Sequence, residues 1–163
     1  MSVNERIIAA SVSIREATAH DGDDLLRVIN DAFIVEQFFA PGPRLTLREL
    51  NLYLARGNFL IAEQERAFAG CVFVETTKPS GYFGLLSVDR RFQQRGLGSR
   101  LVAAAEERCR AAGCDSINIR VVNLRTELPP FYGARGYEEI GIEAFESSKT
   151  SMPCHFIVMS KRL

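Results

Sequence analysis

The chain has 163 residues, 47% apolar and 25% charged, with 20 basic side chains matched by 20 acidic ones. That length suits one domain with a sizeable core, so residues 1–163 are read as a single unit. A net charge of zero removes the global positive field that would draw nucleic acid or an anionic membrane surface, and no apolar run approaches membrane-spanning length.

The elements follow in chain order. Val12 and Ile14 alternate within 11–17, which predicts a short strand. Asp21 is the expected N-cap of a first helix carrying Leu25, Val28, Ile29, Ala32 and Phe33 at helical spacing. The helix should break at Ala-Pro-Gly-Pro, residues 40–43. Phe38 and Phe39 beside that break are either a staple to the core or a wall of a substrate pocket. A second helix is expected from Thr46 to Gly57, with Leu47, Leu50, Leu52 and Leu54 as its apolar positions.

Residues 58–62 and 68–76 read as a hairpin, and 82–88 continues an antiparallel meander. A helix over 96–112 follows, with Glu106 and Arg110 placed as an exposed pair four residues apart. Residues 114–122 form the next strand, which the crossover rule makes parallel to 82–88. Pro129 and Pro130 open a short helix near 129–135. Strands at 137–142 and 155–160 close the chain, separated by a polar loop over 146–151. The order β α α β β β α β α β β describes an α/β fold, an α+β mixed sheet with helices on its faces.

Cys71, Cys109, Cys114 and Cys154 make no C-x-x-C pair and no ligand cluster with His20 and His155. Neither a metal site nor a disulfide framework is expected, and free thiols suit a reduced compartment. With no basic segment leading into an apolar one at the N-terminus, the expected location is cytoplasmic.

The stretch Val88–Ser99 carries the chemistry. A strand feeds a basic turn containing Gly96 and Gly98, and the turn opens a helix. Helix starts present unpaired N–H groups and the positive end of the macrodipole, so an anion can sit there. A P-loop needs G-x-x-x-x-G-K-[ST], which is missing. A dinucleotide fingerprint needs a third glycine, where Leu101 stands, and an acid ending the next strand, which Asp115 instead begins. A plain strand-to-helix connection remains the bland alternative for the turn alone.

Gln93-Gln94-Arg95-Gly96-Leu97-Gly98 resembles the Q/R-x-x-G-x-G/A signature of the GNAT N-acyltransferase superfamily. Asn123 with Phe131-Tyr132-Gly133-Ala134-Arg135-Gly136-Tyr137 resembles its second signature, an Asn followed by F-Y-x-x-x-G-F/Y. The element order agrees across nearly the whole chain. Arg90, where proline is frequent, and Gly133, where a larger residue is usual, depart from the pattern. The resemblance implies a GNAT-like fold of about seven strands flanked by about four helices.

It also implies acetyl-CoA as cosubstrate, with no metal. Backbone N–H groups from Gln94 through Arg95, Gly96, Leu97 and Gly98 to Ser99 would hold the pyrophosphate, with Gln93 opening the motif. Leu86, Ser87 and Val88 would contact the pantetheine arm, Ser87 or Val88 N–H polarising the thioester carbonyl. Asn123 would contact the arm from the facing strand, or else cap its own backbone. Tyr132 takes the position of a general acid at the sulfur, or else packs as a core aromatic. Glu75 is the first candidate for a base, with Glu36 beside it, and each is also readable as a solvated carboxylate.

The acceptor segments are 33–48 and 143–154, bearing Phe38, Phe39, Arg44, Glu143, Glu146 and Lys149. Their mixed charges and two aromatics name no particular substrate, and the expected acceptor is no narrower than the primary amine of a small molecule or peptide. The alternatives are a protein-lysine or N-terminal acetyltransferase and a catalytically silent acyl-CoA sensor. Dimerisation is common in the family, and no feature here decides it.

Overall fold

The computed structural model describes residues 12–146 and 150–163. The elements are β1 (Val12–Glu16), α1 (Gly22–Ala32), α2 (Leu47–Arg56), β2 (Asn58–Gln64), β3 (Ala67–Glu75), β4 (Ser80–Val88), α3 (Leu97–Ala111), β5 (Ser116–Val122), α4 (Leu128–Gly133), β6 (Glu138–Ala144) and β7 (His155–Arg162). They form one seven-stranded sheet in the order β1-β2-β3-β4-β5-β7-β6. The β4–β5 pair is parallel and the others antiparallel. The predicted element order and the parallel crossover around α3 are both present.

Strand periodicity explains the two cores. On β2, Leu60 and Ala62 face α3, where they meet Leu101, Val102 and Ala105. Phe59 and Ile61 point to the opposite face, against Leu25 and Ile29 of α1 and Leu50 of α2. Because β2 is covered on both sides, its sequence is a continuous apolar run rather than an alternating one. The hairpin into β3 turns through Glu65 and Arg66, both with positive φ (54° and 62°), as tight two-residue turns require.

Several local expectations are corrected. Asp21 stands at the N-cap position of α1, but its side chain makes no capping bond there; Thr18 caps a 3-10 turn over 19–21, and the Asp21 carboxylate turns back to the Thr18 N–H and to Arg15. On α2 only Leu50 is buried, while Leu47, Leu52 and Leu54 are exposed. Its inner face is Leu50 with Tyr53, three residues apart, which residue 52 cannot share. Glu106 is not an exposed partner of Arg110. It lies under Tyr137 and Lys161, accepting from the phenol at 3.2 Å and from Nζ at 2.9 Å, and Arg110 pairs with Glu107 at 2.6 Å. The four cysteines are free thiols.

Candidate active site

A gap in the sheet builds the site. The β4–β5 ladder consists of Ser80–Ser116, Gly81–Ile117 and Tyr82–Asn118. Beyond Tyr82 the two strands part, although β4 stays paired to β3 through Val88 and β5 to β7 through Val122. A cavity of about 690 Å³ opens between them. The backbone groups of β4 and β5 that face it have no strand to bond.

A bulge in β4 shapes one wall. Its register against β3 runs Phe73–Gly84 and then Cys71–Ser87, so two β4 residues oppose Val72. Leu85 adopts a positive φ of 52° there. Phe83 packs with the α3 core, yet Leu85, two residues on, packs with the α1 core, and Leu86 and Val88 return to the α3 side. The extra residue therefore reverses which side chains point to which face and re-aims the strand's backbone at the cavity.

At one end of the cleft lies the basic turn. Asp89 anchors the exit from β4: its N–H bonds Ala69 O at 2.8 Å, and its carboxylate takes Arg91 at 3.0 Å and Arg27 at 3.2 Å. Hydrogen bonds from Arg91 hold that carboxyl well below the usual range. Gln94 and Gly96 both have positive φ (63° and 77°), and Gly96 is the N-cap of α3. The first intrahelical bond is Arg100 N–H to Gly96 O, leaving the earlier N–H groups free of helix partners. A Cβ at Gly98, which lines the cavity, would meet no atom within 4 Å. The backbone there is open to a ligand. Ser99 receives the Arg135 guanidinium on its hydroxyl at 2.6 Å, so a second cation stands beside the helix start.

Midway along the cleft, Tyr132 of α4 is 7% exposed and lines the cavity. Its ring is gripped by Phe131 at 5.0 Å, Tyr137 at 5.8 Å and Phe83 at 5.9 Å. Burial pushes its phenol up to about 12, partly offset by Arg125 and Arg135. The hydroxyl is protonated at neutral pH and is available to donate.

The far end is a chamber walled by residues 40–44 and 144–146. These walls are fastened together. Ser151 N–H bonds Phe39 O at 2.8 Å, and Phe39, fully buried, meets Phe145 edge-on at 6.4 Å. Phe39 is thus a staple rather than a lining residue, and Phe38 points outward. Inside stand Glu36, Arg44 and Arg125. Burial raises the Glu36 carboxyl above its ordinary value, against the pull of Arg125, which donates to it at 3.1 Å.

The cleft brings together Leu86, Val88, Gly98 and Tyr132 with Glu36, Arg44 and Glu146. Ser87 is turned away; its hydroxyl donates to Leu85 O at 2.9 Å across the bulge. Gln93 reaches back to Val88 O at 3.3 Å. Asn123 clasps β5 to β7, its Oδ1 accepting from His155 N–H at 2.9 Å. Glu75 does not line this cavity. It faces a smaller one of about 300 Å³ and sits 3.7 Å from Arg56. Lys149 falls outside the described residues. Nothing local in the sequence marks Arg125, which enters only because β5 ends where Glu36 comes down from above.

Among the described residues no cluster of His, Cys, Asp and Glu could hold a metal ion, and no helix is long and apolar enough to cross a membrane. The sequence matches the family model of the acetyltransferase (GNAT) domain over residues 38–161. No curated protein sequence matches it. Solved structures share the fold at low identity. The ribosomal-protein-alanine N-acetyltransferase of Brucella melitensis has a TM-score of 0.75 at 21% identity, covering 93% of this chain and 99% of its own. A GNAT acetyltransferase from Elizabethkingia anophelis with acetyl-CoA bound has 0.71 at 17%, covering 94% and 99%. N-acetylglutamate synthase from Neisseria gonorrhoeae, complexed with coenzyme A and N-acetyl-glutamate, has 0.70 at 21%, covering 93% of this chain and 35% of its own. With the split sheet, the glycine turn and Tyr132 on one cleft and the family model spanning most of the sequence, the chain belongs to the GNAT family and is an acetyl-CoA-dependent N-acetyltransferase.

Proposed function

We propose that the protein moves the acetyl group of acetyl-CoA to the primary amine of a small molecule by direct attack. The observation that carries this reading is the fastened chamber. Ser151 and Phe145 both fasten onto Phe39, tying the 144–146 wall to the 40–44 wall, so the acceptor end of the cleft is walled rather than an open groove for a polypeptide. The acetyl-CoA in the Elizabethkingia structure and the coenzyme A in the Neisseria one support the same donor here.

The residues present fit that donor. The α3 start, with Gly96 and Gly98 and the nearby Arg95, Arg100 and Arg135, offers N–H groups and positive charge to a pyrophosphate. The unpaired β4 edge past Tyr82 offers a ladder to the amide-rich pantetheine arm. The acetyl group then lies between the bulge and Tyr132.

The amine attacks as the free base, forming the C–N bond while the carbonyl pair moves to oxygen. Backbone N–H groups of the re-aimed segment around Leu86 and Val88 stabilise that oxyanion. Collapse breaks the C–S bond and releases thiolate, and the proton shed by nitrogen ends on sulfur. A phenol at about 12 is a weaker acid than a thiol near 8.5. Tyr132 therefore serves the departing sulfur as a charge-assisted hydrogen-bond donor, and the acidic ammonium supplies the proton. Glu36, the buried carboxylate inside the chamber, meets the incoming amine in place of Glu75.

The test follows thiol release from acetyl-CoA over a panel of small amines and N-terminal and lysine peptides. Release on small amines with none on peptides is expected. Peptide turnover exceeding that of every small amine overturns the acceptor class, and acetyl-CoA binding without release on any amine leaves a sensor.

A further inference from the structure

The chamber contains an unspent cation. Of the arginines that line the cavity, Arg120 is paired with Glu143 at 2.9 Å, and Arg125 with Glu36 at 3.1 Å and Glu127 at 2.6 Å. Arg44 makes no hydrogen bond or contact ion pair with any described residue; its charge acts only at longer range on the Glu36 carboxyl, which Arg125 already bonds. Its guanidinium lies over the Phe33 ring, 5.3 Å from the centroid. Stacking occupies a face of the guanidinium plane and leaves the N–H fork on its edge free.

Arg44 is also held in place. Asn30 of α1 clasps the next residue in both directions: its Nδ2 donates to Leu45 O, and its Oδ1 accepts from Leu45 N–H, each at 2.9 Å. Leu45 is buried in the α1 core. A solvated loop arginine is neither half-buried, stacked nor clamped at its neighbour. A cation partly withdrawn from water on a cavity wall calls for an anion. The donor's phosphates have their own site at the α3 start, so this anion belongs to the acceptor. A planar fork matches a carboxylate bidentately. Glu36, in the same chamber, supplies the opposite charge for an amine.

We infer that the acceptor is an amino carboxylic acid whose carboxylate is held by Arg44. The inference rests on the acetyl-transfer reading and narrows it. Arg44 is a specificity residue with no part in bond making.

Thiol release is measured on matched pairs, each acceptor offered as free acid and as carboxamide: leucine, phenylalanine, β-alanine and 4-aminobutyrate. The carboxamide carries the less basic amine and so the larger neutral fraction at a given pH. A preference for the acid cannot then come from amine basicity. For at least one pair the wild type should favour the acid by roughly 10- to 100-fold in kcat/KM, the worth of a charged hydrogen-bonded contact. Arg44→Gln should abolish the preference through KM of the acid while leaving KM for acetyl-CoA and the melting temperature unchanged, and Arg44→Lys should restore part of it. Equal turnover of acid and amide by the wild type overturns the inference and leaves acetyl transfer standing. A loss on Arg44→Gln that is equal for acid and amide does the same. No thiol release on any amine, with acetyl-CoA bound, overturns both.

Discussion

Tyr132→Phe isolates a single oxygen. The ring sits among Phe83, Phe131 and Tyr137 at 5.0 to 5.9 Å, and phenylalanine keeps every one of those contacts, so the cleft should keep its shape. What is lost is one O–H aimed into the cavity. A hydrogen bond to a charged partner contributes about 1.5–3 kcal/mol, or roughly 10- to 150-fold in rate. Full proton transfer would predict up to 10⁴-fold, but a phenol is ordinarily a weaker acid than a thiol, and burial weakens the Tyr132 phenol further, so transfer to the thiolate runs uphill. The expected result is a fall in kcat of about 10- to 150-fold, followed by thiol release at saturating acceptor, with the acetyl-CoA dissociation constant unchanged. The wild-type kcat should show no descending limb from this phenol up to pH 10. An unchanged kcat refutes a role at the sulfur. A loss beyond about 10⁴-fold refutes the hydrogen-bond argument and restores obligatory acid catalysis.

Three further outcomes follow from the geometry. Gly96→Glu should weaken acetyl-CoA binding by at least about 10-fold in calorimetry, because it puts a carboxylate on an anion site and a side chain at φ 77°; unchanged affinity would return the turn to a plain connection. Glu106→Gln removes the buried acceptor of Lys161 and weakens that of Tyr137. It should cost about 1–3 kcal/mol, lowering the melting temperature by several degrees, and a shift under about 1 °C would refute the load assigned to this triad. Asp21 has its carboxyl drawn down to about 2, first by hydrogen bonds from Arg15; a lowered acid stabilises the fold above the unfolded value near 3.8 and loses that contribution as pH falls through about 2. Since Arg15 is 40% exposed, screening trims the effect, and Asp21→Asn should cost about 1–2 kcal/mol at pH 7 and close to nothing at pH 2; a penalty independent of pH would show that the charge is not its source.

What the sequence makes legible is whatever depends on local spacing. The strand-turn-helix at Val88–Ser99 is written in neighbouring residues, as are the Thr46 start of α2 and the double-proline start of α4, and each stands where the spacing puts it. What escapes depends on residues far apart. Glu106 looks like a surface pair with Arg110 because helical spacing sees four residues; its partners Tyr137 and Lys161 arrive from β6's entry and from β7. Asp21 holds the N-cap position its spacing gives it, but its carboxylate bonds Arg15 instead of the helix, a partner across the strand end that local spacing does not show. The placement of the two carboxylates has a related reason. Nothing local separates Glu75 from Glu36, and only the parting of β4 from β5 puts Glu36 on the cavity that holds Tyr132 and Glu75 on the smaller one.

That parting has a limited cost, because each half of the sheet is secured on its other side. β4 keeps its antiparallel ladder to β3 from Glu75–Tyr82 to Gly70–Val88, interrupted once by the bulge. β5 is paired to β7 along its whole length, and the Asn123–His155 clasp, N–H to carbonyl in one direction and N–H to side-chain oxygen in the other, ends that ladder firmly. Only the facing edges go unbonded, and they are the surfaces a ligand must reach. The bulge works in the same economy. A positive φ at Leu85 costs of order 1–3 kcal/mol, and it stays populated because Leu85 is buried in the α1 core while Phe83 and Leu86 are held in the other. The packing on both faces over-determines the strained residue between them. The re-aimed backbone is therefore in place before any donor arrives, so binding need not supply the energy to create it.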